Sequence, residues 1–459
     1  MLRHNILHCL FWTKALVAML LGLFCLLWFS WRIYDLHSRA VPAFFDGLQS
    51  VDVTAPDCNY DPKSNWARLE PQTEGIQMFG FHLDWSVETP GKIVTKLNGF
   101  RPNVFNSFME FSANKSKPAF EFSLLNWYAS EAGRVKAMLE ISIMMDPADK
   151  LEDFKDDRLT ELAKALADCN AAYGVPIFLR YGHEMNGPFS SYGFDPVNYV
   201  PNFRRMSTIL KQYTNMTAIV WAPNIGKGYP FGTSGGVSLP RPGNPNFDLM
   251  DTNKDGIIDE NDDPYGPWWP GAEYVDWVGL SLYYYPPDEI QLRNHAVPET
   301  YFESYLTGVG YNQGANWEHY YNFYRRFALE QNKPMMLPET GSPYLYNISA
   351  DGTPGVSASN PGDAAAVQPV DLRLQWFNQI MNPTTLAKYP KLKLMVNFEE
   401  EKVMGLPSFF RDWKLTFDPI IATAILKLFK GWSTHMKEGN QFDYHCNGAV
   451  VLNGQAGSL

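Results

Sequence analysis

The chain predicts an α/β protein built as a closed barrel of eight parallel strands, each followed by a helix. Three observations carry that expectation. Eight short apolar runs recur along residues 74–430; helical stretches separate most of them; and several of the runs end in polar or ionisable residues. An open doubly wound sheet would alternate in the same way. It usually places a Gly-rich phosphate loop after its first strand, and "GFHLDW" is not one.

In chain order the runs are "GIQMFGFHLDW", "PNVFNSFMEF", "AMLEISIMMD", "VPIFLRYGHE", "MTAIVWAPN", "YVDWVGLSLYYY", "KPMMLPETGS" and "KLKLMVNFEE". Between the third and fourth, Leu159, Leu162, Ala163 and Leu166 share one face of a helix. "PNFRRMSTILKQY" supplies the next helix. In such a barrel the catalytic groups come from the C-terminal ends of the strands. The fourth run ends in Arg180, His183, Glu184 and Asn186, the fifth in Trp221 and Asn224, the sixth in Tyr283, and the seventh in Glu339. His82 closes the first. A lone Glu after a strand is usually a cap or a loop carboxylate. Two of them, on strands four and seven with His and Tyr companions, point to paired-carboxylate chemistry. In that chemistry one carboxyl stays protonated while the other is ionised, so their surroundings must differ.

Of the 459 residues 45% are hydrophobic, and 14 Trp, 24 Tyr and 30 Phe exceed what one core needs. Sugar rings stack on such side chains, although a large Tyr-rich core would use them too. The net charge of −11 argues against nucleic acid or another polyanion as the main partner and favours a neutral substrate.

Residues 15–34 hold the uncharged run "ALVAMLLGLFCLLWFSW", which we read as a transmembrane signal anchor behind a short cytoplasmic segment, 1–14. A cleaved signal peptide with "SRAVPA" as its cleavage site is the alternative. Residues 35–73 read as a stalk and 431–459 as an irregular C-terminal extension. Three sequons, at Asn114, Asn215 and Asn347, fit a single-pass membrane glycoprotein whose barrel is lumenal or extracellular. Outside the anchor, Cys58, Cys169 and Cys446 allow at most one disulfide; a Cys58–Cys446 bridge tying the two ends of the domain is one pairing.

"DTNKDGIIDEND" has the spacing of a calcium loop, with Asp251, Asn253, Asp255, the Ile257 carbonyl, Asp259 and Asp262 at positions 1, 3, 5, 7, 9 and 12 and Gly256 at the turn. It lies in an insertion near 240–266, between strands five and six. The preceding "LPRPGNPNFDLM" reads as non-helical, so a lone structural Ca²⁺ site is expected.

"RYGHEMNGPFSSYG" resembles the acid/base motif of glycoside hydrolase family 26, which comprises retaining β-mannanases and related β-glucanases. "VWAPN", "WWPGAEYVDWVGLSLY", "KPMMLPETGS" and "RDWKL", which contains Trp413, follow in the order that family shows. The resemblance implies Glu184 as general acid/base, Glu339 as nucleophile, and Tyr283 as the tyrosine bonded to it. It places Arg180, His183 and Asn186 on further motif positions. It also implies a retaining double displacement with carboxyl groups about 5–5.5 Å apart. Where the family has a Trp-rich stretch this chain has Phe189, Ser191 and Tyr192, and its eighth run ends in Asn397, Phe398 and three Glu. The substrate is therefore left among mannan, glucomannan and mixed-linkage β-glucan. His82, Trp221, Asn224 and Trp413 are further substrate-binding candidates. A transglycosylase and a catalytically silent, glycan-binding scaffold attached to a membrane protein of polysaccharide synthesis are the alternative readings.

Overall fold

The computed structural model describes residues 50–232, 236–286, 293–310, 317–348, 367–404 and 409–454. The expected cytoplasmic segment, the anchor at 15–34 and the first part of the stalk lie outside them. Among the described residues no helix is long and apolar enough to cross a membrane.

All eight expected strands form: β1 Met78–Leu83, β2 Val104–Phe111, β3 Met138–Met145, β4 Ile177–Tyr181, β5 Thr217–Trp221, β6 Trp277–Gly279, β7 Met335–Gly341 and β8 Leu392–Glu399. Each pairs in parallel with its sequence neighbour, and β8 pairs with both β7 and β1, which closes the barrel. Leu282–Tyr283 adds a short parallel pairing with Thr340–Gly341 at the upper end of β7. β7 and β8 shift register between Met395 and Asn397, opposite the stretch of β7 that carries Glu339.

The helices follow from local chemistry. Asp156–Tyr173 buries Leu159, Leu162, Ala163 and Leu166, the predicted face, and stops at Gly174, whose φ of +63° suits a left-handed C-terminal cap. Pro196–Leu210 starts at Asp195, whose carboxylate accepts from the Asn198 amide, with Pro196 in the first turn. A short helix, Pro245–Met250, does form where none was expected; the Asn244 cap and Pro245 are start signals that the surrounding Gly-Pro run obscures.

The lower barrel interior is apolar. Met78, Val104, Met138, Phe178, Ala218, Trp277, Met336 and Leu394 form one buried cluster, closed from below by Leu69, Phe442 and Val450. Residues 50–73 are therefore not a stalk. Leu69 and Glu70 are buried, Arg68 pairs with Asp276, and the Trp277 indole donates to the Arg68 carbonyl at 2.7 Å. The C-terminal extension is ordered as well: Phe442–Tyr444 and Val450–Leu452 form an antiparallel pair on the same cluster. Cys58 and Cys446 are disulfide-bonded. Cys169 is a buried free thiol whose ionisation burial pushes up to about 12. Of the sequons, Asn114 and Asn347 are exposed. Asn215 instead spends its side chain on the Cys58 carbonyl (2.7 Å) and on Arg68 (3.2 Å).

Candidate active site

Above the apolar layer the barrel interior turns polar. Alternation along a strand puts Met138, Glu140 and Ser142 of β3 on one inward row, and Arg180 of β4 lies opposite Ser142. Arg180 is fully buried. It ion-pairs with Glu339, donates to Ser281 Oγ at 2.6 Å and reaches Ser142 Oγ at 3.4 Å. Tyr283 donates its hydroxyl to Glu339 Oε2 at 2.9 Å. Each oxygen of Glu339 thus has its own donor. Burial acts to raise this carboxyl, but the Arg180 charge and the hydrogen bonds from Arg180 and Tyr283 overcome it and bring it down to about 2. Glu339 is an anion.

Glu184 leaves β4 through a turn in which Gly182 has φ +60° and Glu184 itself φ +55°. A left-handed backbone at a non-Gly residue costs on the order of 1 kcal/mol and is concentrated at functional sites. The Glu184 amide donates to the Ala222 carbonyl at 2.9 Å, and Asn224 Nδ2 donates to its carboxyl at 3.3 Å. Burial and the neighbouring Glu339 charge push Glu184 up to about 7, with Arg180 acting the other way. The two carboxyl groups therefore differ in the sense that acid and nucleophile require. Both line one open cleft of about 660 Å³, whose walls include Phe189, Phe231, Tyr283, Tyr285, Phe398 and Trp413.

The other predicted residues divide. Asn224 and Trp413 line the cleft with Tyr283. Asn186 does not face it: its side chain accepts from the Asn224 amide (2.8 Å) and donates to the carbonyls of Asn224 (2.9 Å) and Pro264 (3.1 Å), so it braces the chain beside Glu184. Trp221 points outward. It is buried against Trp269, Phe323 and Phe327 and donates to the Trp268 carbonyl, because the inward positions of β5 are Val220 and Ala222. His82 has both ring nitrogens engaged within the protein, with Asn106 Oδ1 at 2.7 Å and Glu400 Oε1 at 2.8 Å, while its ring stacks on Phe398. It positions groups and leaves no nitrogen for a sugar. His183 is buried beside Phe108; burial and the Arg180 charge depress its pKa to about 3, so it is neutral.

Several participants had no sequence signal strong enough to find them. Ser142 and Ser281 anchor Arg180, and Asn106 links His82 to Ser142 at 3.1 Å. Glu140, two residues below Ser142, is a third buried carboxyl; burial raises it to about 8, which keeps it protonated beside Arg180. The three Glu residues at the end of β8 and just beyond it, Glu399, Glu400 and Glu401, are structural. Glu399 accepts from the Leu415 and Thr416 amides, Glu400 serves His82 and Lys402, and Glu401 pairs with Lys414.

The 251–262 loop is closed by its own amides. The Asp251 carboxylate accepts from Asp255 and Gly256, Asp255 from Ile257, Asp259 from Asn261, and Asp262 from Thr252 and Asn253. Among the described residues these carboxylates do not form a group of three metal-ligand atoms. The one group of that kind is Asp57 with the bonded sulfurs of Cys58 and Cys446, which have no thiolate to offer. The insertion also supports the site: Arg326 clamps Asp263, next to the Pro264 carbonyl that receives Asn186.

No protein-family model matches the chain, and no curated protein does. Among solved structures, the GH26A protein of a Muricauda species shares 16% identity over 81% of this chain and 94% of its own, with a TM-score of 0.40. An endo-β-1,4-mannanase double mutant from Cellulomonas fimi shares 16% over 83% of this chain and 75% of its own, at 0.42. A β-glucosidase from Thermotoga maritima shares 12% over 74% and 85%, at 0.43.

Proposed function

We propose that this chain is a retaining endo-β-glycosidase acting on a β-linked polysaccharide. The observation that carries the reading is one cleft lined by two carboxyl groups held in opposite protonation states, Glu339 by Arg180 and Tyr283, Glu184 by burial and by Glu339 itself. Glu339 attacks the anomeric carbon while Glu184 gives its proton to the departing oxygen. Esterification removes the Glu339 charge, and with it one cause of the raised Glu184 pKa. Glu184 is then the stronger acid, and its carboxylate takes a proton from the incoming water. A carboxyl separation of about 5–5.5 Å belongs to this mechanism. Residues 15–34 complete the proposal as a membrane anchor holding the barrel on the lumenal or extracellular side; the uncharged run over 15–31 supports it.

Reducing-end release from mannan, glucomannan, lichenan and cellulose tests the reading. The parent cleaves at least one of them, and Glu339→Ala lowers the rate by at least about 10³-fold in protein that circular dichroism shows to be folded. Equal signals from parent and variant, or none from either, favour the glycan-binding scaffold instead.

Uptake of Ca²⁺ by the 251–262 loop is a separable part of the proposal, supported by residue spacing and by Gly256 at φ +89°. Binding would turn Asp255 and Asp259 away from the amides they now accept. A calcium titration of the melting temperature, with Asp255→Ala as the control, reads it: no calcium dependence in the parent removes the ion.

A further inference from the structure

The two carboxyl groups are held in different ways. Glu339 is fixed by side chains that touch it, Arg180 and Tyr283. Glu184 stands at the end of a relay that crosses three connections of the barrel. It leaves β4 with a left-handed backbone, φ +55°, and such a conformation persists where the surroundings fix it. Its carboxyl accepts from Asn224 Nδ2 at 3.3 Å. Asn224 is in turn held from behind. Its amide donates to Asn186 Oδ1 at 2.8 Å, and Asn186 Nδ2 reaches the Pro264 carbonyl at 3.1 Å. Two residues on, the Gly226 amide donates to the Tyr265 hydroxyl at 2.7 Å. Pro264 and Tyr265, at the end of the insertion, thus grip the 224–226 segment at two points. The fit leaves no room for a side chain: a Cβ on Gly226 would stand 2.8 Å from Pro264 Cγ and 2.9 Å from the Tyr265 hydroxyl.

An ion pair fixes Pro264 and Tyr265. Asp263 Oδ1 accepts the amides of Tyr265 and Gly266, both at 3.0 Å, so this carboxylate closes the turn. Arg326 takes both oxygens of the same carboxylate, at 2.9 and 2.6 Å. It comes from the π-helical turn Tyr324–Leu329 between β6 and β7, a geometry met most often at functional sites. The two side chains are only 18% and 8% exposed, so solvent screens the pair little. Its bidentate form sets a direction as well as an attraction.

We propose that Arg326 and Asp263 are positioning residues for the general acid, and that their pair sets where the Glu184 carboxyl stands by acting through Pro264, Asn186 and Asn224. The inference rests on the glycosidase reading for what Glu184 does, and its test separates the two. The Asn224 donor binds Glu184 more tightly as the proton leaves and negative charge builds up. Misplacing the acid therefore costs the step in which the departing oxygen takes a proton. It spares a leaving group that departs without one.

The variant to test is Arg326→Met/Asp263→Asn, which leaves neither charge buried without its partner. The probes are phenyl and 2,4-dinitrophenyl β-cellobiosides and β-mannobiosides, with glucomannan as the polymer. For the phenyl glycosides and the polymer kcat/KM is expected to fall about 10- to 100-fold, and for the dinitrophenyl glycosides to change less than about twofold. Arg326→Lys, which offers a point charge in place of two parallel donors, falls between parent and double variant. Hydrogen exchange reads the relay without turnover. In the double variant the amides of Asn224 and Gly226 exchange at least about tenfold faster, while amides of the lower barrel exchange as in the parent. Equal losses on both kinds of glycoside, or none on either, overturn the inference. If the parent cleaves none of the probes, the glycosidase reading falls and exchange alone decides: faster exchange confined to Asn224 and Gly226 keeps the relay, and unchanged or uniformly faster exchange sinks it.

Discussion

At the lower end of the barrel, Leu69, Phe442 and Val450 close over Met78, Val104, Met138 and Trp277, an apolar layer. At the upper end, two to six residues further along the chain, Arg180, Glu339, Glu184, Ser142 and Asn106 gather instead. The strands are continuous between the two, so one alternation serves both. The lower layer is filled by large apolar side chains that bury area. The upper layer forgoes that burial and holds charges whose arrangement suits a reaction. The lower end is therefore where substitutions are expected to cost stability, and the upper end where they cost rate.

Three changes sharpen that contrast, in decreasing order of effect. Removing the Glu339 carboxylate takes at least about 10³-fold from turnover, about 4 kcal/mol, in protein that circular dichroism shows to be folded. Its buried partner Arg180 is the reason to use Glu339→Gln alongside Glu339→Ala, since an unpaired buried cation is itself destabilising. At the other end, Cys58→Ser with Cys446→Ser lowers the unfolding free energy by about 2–4 kcal/mol in denaturant titration, with kcat/KM of the folded protein unchanged. A fall in kcat/KM there would show that the two ends are coupled. The smallest is the effect of pH. Glu184 must be protonated to act as acid, and burial places its midpoint at about 7; Glu339 must be ionised, and Arg180 places its midpoint at about 2. From its value below pH 7, kcat/KM falls about tenfold per unit above it. With an aryl glycoside whose leaving group needs no proton, Glu184→Gln flattens that limb.

Much of this was legible in the sequence for a simple reason. A strand buried on both faces reads as an apolar run, and a run that ends in Arg, His and Glu announces which end opens to solvent. The eight strands and the cleft position of Asn224 follow from that, whereas the pairing of Tyr283 with Glu339 and the place of Trp413 are expected only from the resemblance of their motifs to glycoside hydrolase family 26. Where the reading went astray, the determining contact is remote or depends on parity. Residues 50–73 have no period, so Arg68 meeting Asp276 and Leu69 entering the core cannot be read from local composition. Trp221 and Ala222 are neighbours on opposite faces, and only the barrel decides which one is inside. Asn186 and His82 are polar residues at strand ends like the others. Their partners, Pro264 and Glu400, are 78 and 318 residues away.

The central claim is that Glu339 becomes covalently attached to sugar. Incubation with an activated 2-deoxy-2-fluoro β-glycoside, which slows breakdown of the intermediate more than its formation, followed by mass spectrometry of the intact protein and of its peptides, tests it directly. The account predicts one added glycosyl mass per chain, on the peptide that contains Glu339, and none in Glu339→Gln. A label on Glu184, or turnover of the parent with no label at all, contradicts it.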